Sequence, residues 1–187
     1  MTFVVRDTSF RQIFEVPEYR FGDICPDDRV LDIGANVGAF CIRASRHSPH
    51  VVAVEPVTAS LLRENIRKNN VPVRVIEAAL GEGNPAVVSW DDCQVLVPTY
   101  PLREIIGLAG GCDFLKCDCE GAEWTIVPED LNGIRCIEME LHIPPTSGPP
   151  GMPLLEYISR YYHFEIERKP VHAALGVIGV LHARRKE

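Results

Sequence analysis

The sequence has no apolar stretch approaching the roughly 20 residues that a membrane-spanning helix requires. Its first residues, MTFVVRDTSF, also lack the charged-then-apolar order of a secretory signal, so a cytosolic protein with no membrane partner is expected. Basic charge is scarce: 19 Lys and Arg stand against 26 Asp and Glu, a net charge of −7 at pH 7. Such a chain is repelled by a phosphate backbone unless its basic residues cluster. The one dense basic run, Arg184, Arg185 and Lys186, reads as a solvated tail, so a nucleic-acid partner is not expected. Paired CxxC motifs are missing as well. Of the seven cysteines, Cys41, Cys93, Cys117, Cys119 and Cys136 lie within or beside apolar runs, where cysteine behaves as a small hydrophobe. In a strand Cys117 and Cys119 would share a face, with nothing to complete a tetrahedral zinc site, and a reducing compartment disfavours disulfides. No internal repeat, linker or low-complexity tract interrupts the chain.

What is present is enough for one core: 187 residues, 46% of them hydrophobic, fit a single domain. From position 29 onward, short β-branched runs alternate with helical stretches, the pattern of an α/β fold with a mostly parallel sheet and helices on both faces. Strands are predicted over 29–33, 51–55, 73–77, 113–118 and 135–141, each apolar enough to be buried on both faces. Helices are predicted over 38–46 and 59–69, the second stopped by Asn69-Asn70-Val71-Pro72. A hairpin over 86–90 and 94–97 is inserted before the fourth core strand, followed by a short helix over 102–108 begun by Pro101. The Pro- and Gly-rich segment 143–153 reads as a loop, and a helix over 154–162 with strands over 163–168 and 174–183 would close the sheet with an antiparallel pair. Residues 1–28 are expected to form a cap, with a hairpin over 3–5 and 13–16.

The segment V-L-D-I-G-A-N-V-G places Asp32 at the end of a strand and Gly34 and Gly38 in the turn opening the next helix, where glycine permits a tight backbone and close ligand approach. This is GxxxG after an acidic residue, not the GxGxxG that seats a dinucleotide pyrophosphate on a helix N-terminus. S-adenosylmethionine has no phosphate but carries an ammonium and a sulfonium, so a carboxylate such as Asp32 suits it better than it suits NAD. Glu55 ends V-V-A-V-E-P, 17 residues after Gly38, where a carboxylate can accept both ribose hydroxyls of either cofactor. Glu77 and Ala78 end the third strand, either as a plain strand end or as a place for the adenine edge.

The segment D-F-L-K-C-D-C-E-G-A-E-W supplies Asp113, Asp118, Glu120 and Glu123, with Asp118 and Glu120 on one side of the extended backbone. At the C-terminal end of a strand, where open α/β sheets bind ligands, such carboxylates can bind the methionine ammonium, orient an acceptor or deprotonate a hydroxyl. Alternatively, Glu120 and Glu123 complement the start of a following helix. Glu138, Glu140 and His142 alternate in C-I-E-M-E-L-H and so share a face; His142 at the strand's mouth suits either a general base or a strand-end cap.

Together, VLDIGANVGAF, VVAVEP followed by LLRENIRKNN, VIEAALGEG, DFLKCDCEGAEW and CIEMELH resemble, in order and spacing, the FkbM family of S-adenosylmethionine-dependent methyltransferases. The resemblance covers 29–142, and Cys117 and Cys119 stand where that family has aliphatic residues. It implies a class I methyltransferase fold with a seven-stranded sheet and transfer of a methyl group to a hydroxyl oxygen of a sugar, polyketide or similar small metabolite. Asp32, Gly34, Asn36 and Gly38 would hold the methionine end, Glu55 the ribose, and Asp118 and Glu120 the reacting end. Asp118 is the first candidate for the base, with Glu120 and His142 next; no metal is assigned, and a divalent ion shared by Asp118 and its neighbours is the lesser alternative. The loop over 143–153 either gates the acceptor or simply connects. The rival functions are a non-catalytic S-adenosylmethionine-binding module, an NAD-dependent enzyme, and a methyltransferase acting on nucleic acid or protein.

Overall fold

The computed structural model describes residues 18–90, 93–143, 151–169, 172 and 176–187. In chain order the elements are β1 (Val30–Ile33), α1 (Ala39–Ala44), β2 (Val51–Val54), α2 (Ala59–Asn69), β3 (Val73–Ile76), β4 (Ala79–Leu80), the hairpin β5 (Ala86–Trp90) and β6 (Cys93–Val97), β7 (Thr99–Tyr100), α3 (Leu102–Ala109), β8 (Phe114–Cys117), β9 (Cys136–His142), α4 (Met152–Tyr161), β10 (Tyr162–Glu167) and β11 (Val177–Arg185). Seven strands form one sheet in the order β10-β11-β9-β8-β1-β2-β3. The pairs among β3, β2, β1, β8 and β9 are parallel, and β11 runs antiparallel to both β9 and β10. The expected α/β architecture with a mostly parallel sheet is therefore the one that forms.

Every residue of β1, β2 and β8 is buried, as a strand covered on both faces requires. Alternation divides their side chains between two apolar cores. Leu31, Ile33, Leu115 and Cys117 pack with Leu102 and Ile105 of α3 and Leu154 and Ile158 of α4. Val30, Val51, Ala53 and Phe114 pack on the other face with Phe40 of α1, Leu62 and Ile66 of α2, and Tyr19 and Phe21 from the segment before the sheet. Helix α2 stops at Asn70, whose left-handed φ of 50° is one that Asn adopts readily, with Arg67 and Lys68 in its last turn.

Four features depart from expectation. β3, expected to be buried on both faces, lies at the edge of the sheet and is only partly buried. Pro153, expected in a loop, sits in the first turn of α4, where a missing N–H leaves no intrahelical bond unmade. The helix expected after Glu120 is only a 3-10 turn, Ala122–Thr125. The paired segments Ala79–Leu80 and Thr99–Tyr100, which bracket the inserted hairpin, were not expected. The expected hairpin over 3–5 and 13–16 and most of the proposed gating loop, residues 144–150, lie outside the described residues. No helix among the described residues is long and apolar enough to cross a membrane.

The parallel strands β1, β2, β8 and β9 all end at one edge of the sheet, where the chain turns sharply. Gly34 holds φ +73°, and a Cβ there would lie 1.7 Å from the Asp118 carbonyl oxygen. Gly38 holds φ +94°, and its Cβ would lie 2.6 Å from Leu62 Cδ1. In this structure both glycines thus make room for the protein's own backbone and core rather than for a ligand, which revises the sequence argument for them.

Gly34→Ala is expected to destabilise the fold by about 3 kcal/mol or more, since it combines left-handed strain with a backbone collision. Gly107→Ala, on the exposed side of α3 with nothing within 4 Å of the added Cβ, is expected to stabilise by about 0.5–1 kcal/mol. Guanidinium denaturation of the two variants checks both signs.

Candidate active site

The core of the site is a polar row laid across the sheet. Strand register puts Asp32 beside Lys116, Lys116 beside Glu138, Glu138 beside His182, and His182 beside Glu165, on five adjacent strands. Asp32 is wholly buried and Lys116 is 3% exposed. The Lys116 ammonium lies 3.1 Å from Asp32 Oδ1 and 3.6 Å from Asp118 Oδ2, and it donates to the Gly34 carbonyl at 2.8 Å. Burial works against its charge, but the Asp32 and Asp118 carboxylates more than offset that and hold Lys116 well above its ordinary value. Burial pushes the Asp32 carboxyl up, and Lys116 pulls it back. The row continues in a buried pair, Glu138 with His182 Nδ1 at 2.7 Å.

On one side of this row lies the Gly34–Gly38 turn, tied to the end of β2 by Glu55. Glu55 Oε2 accepts the Asn36 N–H at 2.9 Å, and Oε1 accepts the N–H groups of Val57 and Thr58 at 2.7 and 2.9 Å. A carboxylate has about four acceptor positions. Three are used, which leaves one, on Oε2, for a ribose hydroxyl rather than two. The turn is held from the other side by Asn65 of α2, which is wholly buried and donates to the Val37 carbonyl at 2.8 Å.

On the other side are the ends of β8 and β9. Asp118 Oδ2 accepts the Tyr19 hydroxyl at 3.1 Å. Burial raises the Asp118 carboxyl, but Lys116, a hydrogen bond with Glu140, His142 and Tyr19 together bring it below the ordinary carboxylate range. Glu140 is pushed up to about 9, by burial first and then by the charge of Asp118 and a hydrogen bond with it. His142 is 5% exposed; Glu123 Oε1 accepts its backbone N–H at 2.6 Å and lies 3.1 Å from its ring Nδ1. Burial pulls the imidazole down, but the hydrogen bond and charge of Glu123, followed by Asp118 and Glu120, raise it to about 9. Glu120, in a left-handed conformation at φ 55°, brings its carboxylate within 3.5 Å of His142 Nε2.

The candidates Asp118, Glu120 and His142 therefore meet at one point, and Gly34, Asn36, Gly38 and Glu55 meet at a second, with the Asp32–Lys116 pair between them. Asp32 has no exposure and faces an ammonium of its own chain, so a methionine ammonium at this edge would meet Asp118 and its neighbours instead. Glu77 lies apart, in a surface ion pair with Arg63 at 2.7 Å, and Ala78 is packed into the apolar core. Sequence reasoning missed Lys116, Tyr19 and Asn65, and it read Glu123 as a helix-start charge. The one available signal was a lysine inside an apolar strand. The residues fit S-adenosylmethionine in their chemistry: an acceptor position at Glu55 and anionic oxygens at the ends of β8 and β9. Two groups also have metal-ligating composition, Asp118 with Glu120 and His142, and Glu18 with Glu140 and His172, each with its ligand atoms within 4.8 Å of one another. Cys25, Cys41, Cys112, Cys117, Cys119 and Cys136 are free; Cys117 and Cys119, on one face as expected, have Sγ atoms 3.4 Å apart.

Lys116→Met leaves Asp32 buried without its cation and is expected to cost about 3–5 kcal/mol. Lys116→Met combined with Asp32→Leu is expected to recover most of that loss, as a double-mutant cycle by denaturation would show.

No protein-family model matches the sequence, and no curated protein matches it. Solved structures do. An O-methyltransferase from Bacillus cereus in complex with SAH aligns with a TM-score of 0.56 at 17% identity, over 98% of this chain and 93% of that one. Precorrin-6y C5,15-methyltransferase from Geobacter metallireducens aligns with a TM-score of 0.53 at 16% identity, over 87% and 84% of the two chains. A dimethyladenosine transferase from Plasmodium falciparum aligns with a TM-score of 0.59 at 10% identity, over 99% of this chain and 64% of that one. The structural neighbours thus include methyltransferases, and the chain shares their α/β Rossmann-like fold.

Proposed function

We propose that the protein is an S-adenosylmethionine-dependent methyltransferase of the FkbM type that methylates a hydroxyl oxygen of a small metabolite, sugar or polyketide. The observation that carries this reading is the pairing, at one edge of a methyltransferase sheet, of a glycine turn anchored by Glu55 with a separate convergence of Asp118, Glu120 and His142. The first half offers a nucleoside site without phosphate chemistry; the second offers carboxylates and an imidazole where a hydroxyl would be positioned. The SAH complex of the Bacillus cereus neighbour and the family resemblance over 29–142 support the same cofactor.

The bound cofactor supplies an electrophilic methyl group on a sulfonium, and the protein's own groups supply position and a proton acceptor. Glu55 holds a ribose hydroxyl through its remaining acceptor position. The Gly34 carbonyl, fixed by Lys116, sets the path of the turn that would hold the methionine end. Asp118, with its negative charge maintained by Lys116 and by hydrogen bonds with Tyr19 and Glu140, faces the cationic end of the cofactor. An acceptor hydroxyl placed among Asp118, Glu120 and His142 would lose its proton to one of the two carboxylates as its oxygen takes the methyl group and S-adenosylhomocysteine leaves.

Calorimetric titration with S-adenosylmethionine and S-adenosylhomocysteine is expected to show one site per chain. Glu55→Ala is expected to weaken binding at least 10-fold, the loss of about 1.4 kcal/mol or more expected for a hydrogen bond to a charged group. Absence of binding to well-folded wild-type protein would overturn the reading.

A further inference from the structure

Two groups of side chains have the composition of a metal site, and the protonation of their histidines separates them. In the group Glu18, Glu140 and His172, the Lys169 backbone N–H donates to His172 Nδ1 at 3.1 Å, so the proton of the neutral ring sits on Nε2, the atom that faces Glu18 at 3.6 Å. The Lys169 ammonium also lies on Glu18 Oε1 at 3.1 Å. The ring nitrogen that faces Glu18 in this group is thus the protonated one, the reverse of what a metal-ligating histidine presents.

The group at the ends of β8 and β9 is the reverse. His142 Nδ1 points at Glu123 Oε1, and that wholly buried carboxylate also accepts the His142 and Gly121 backbone N–H groups. Glu123 holds a proton on Nδ1, so Nε2 is the ring nitrogen a cation can take, by displacing the proton there. The His142 side chain is only 7% exposed, and Nε2 lies 3.5 Å from Glu120 Oε2, 3.6 Å from Glu140 Oε2 and 3.9 Å from Asp118 Oδ1. These separations are longer than hydrogen bonds. They match ligands around an ion better: at metal–ligand distances of about 2.1 Å, tetrahedral ligands lie about 3.4 Å apart and adjacent octahedral ones about 3.0 Å. A carboxylate that orients a ligating histidine through its other ring nitrogen is the usual support of such a site.

We propose that Asp118, Glu120 and His142 bind one divalent cation of the manganese or zinc type, with Glu123 as the positioning residue that fixes the His142 tautomer. One nitrogen with two carboxylate oxygens suits these ions better than magnesium, which prefers oxygen and retains its water. A coordination position not taken by protein would be open to the acceptor hydroxyl; the ion would favour its deprotonated form, the proton passing to water rather than to the three ligands. The proposal extends the methyltransferase reading but does not depend on cofactor binding.

The test is calorimetric titration of chelator-treated, full-length protein with Mn²⁺ and with Zn²⁺, each alone and with S-adenosylhomocysteine present. Binding of one ion per chain is expected, weakened at least 10-fold by Glu120→Gln and by His142→Ala, and 10- to 100-fold by Glu123→Gln. Glu120 has a side chain 69% exposed, so its variant is expected to keep the fold, as circular dichroism would verify. No binding of either ion at millimolar concentration, or binding that Glu120→Gln leaves unchanged, overturns the proposal. Cofactor binding without ion binding leaves the methyltransferase reading standing and removes the metal site; ion binding without cofactor binding does the opposite.

Discussion

The contact on which the rest depends is the buried ion pair between Asp32 and Lys116. Desolvating two charges in the middle of a parallel sheet is unfavourable unless each finds close compensation. Here the compensation also builds the site. Lys116 reaches Asp32 beside it in register, the Gly34 carbonyl at the start of the turn, and Asp118 at the end of its own strand. One ammonium thus fixes the separation between the turn after β1 and the acidic end of β8, the two places where cofactor and acceptor would meet. Gly34 enforces the same closeness sterically, because any side chain there would run into the Asp118 carbonyl.

From this centre, polar groups spread along one face of the sheet while the opposite face stays apolar. Asp32, Lys116, Glu138 and His182 occupy successive strands under the segment that carries Tyr19 and Arg20, whose backbone N–H donates to Glu138 at 3.2 Å. The face toward α3 and α4 is filled by Leu31, Leu115, Ile137 and Leu181. Such a division leaves one face wholly apolar while the other combines apolar burial with charges held in fixed positions, which is what a site without reorganisation at the moment of reaction requires.

The sheet was legible in the sequence because parallel strands buried on both faces leave short, strongly apolar runs, and Val51–Val54 and Phe114–Cys117 are such runs. Glu55 and Asp118 were legible because each ends one of them. The lateral row was not, since strand order decides which residues become neighbours: Lys116 and Glu138 are far apart in sequence, and no local spacing announces that β8 lies between β1 and β9. Glu123 was misread for a related reason. In a full helix it would have served as a first-turn acid, but the chain makes only a 3-10 turn, and its carboxylate goes inward to the backbone and ring of His142. Glycine was legible as a turn former, but not what each glycine would have to avoid.

The central claim is that the edge formed by the Gly34–Gly38 turn, the end of β2 and the ends of β8 and β9 is a cofactor site. Backbone hydrogen exchange with and without S-adenosylhomocysteine tests it most directly, because it locates binding without presuming an acceptor. The account predicts slowed exchange concentrated at residues 34–38, 55–58 and 118–121. Protection confined to other segments, with those three unchanged, would contradict it.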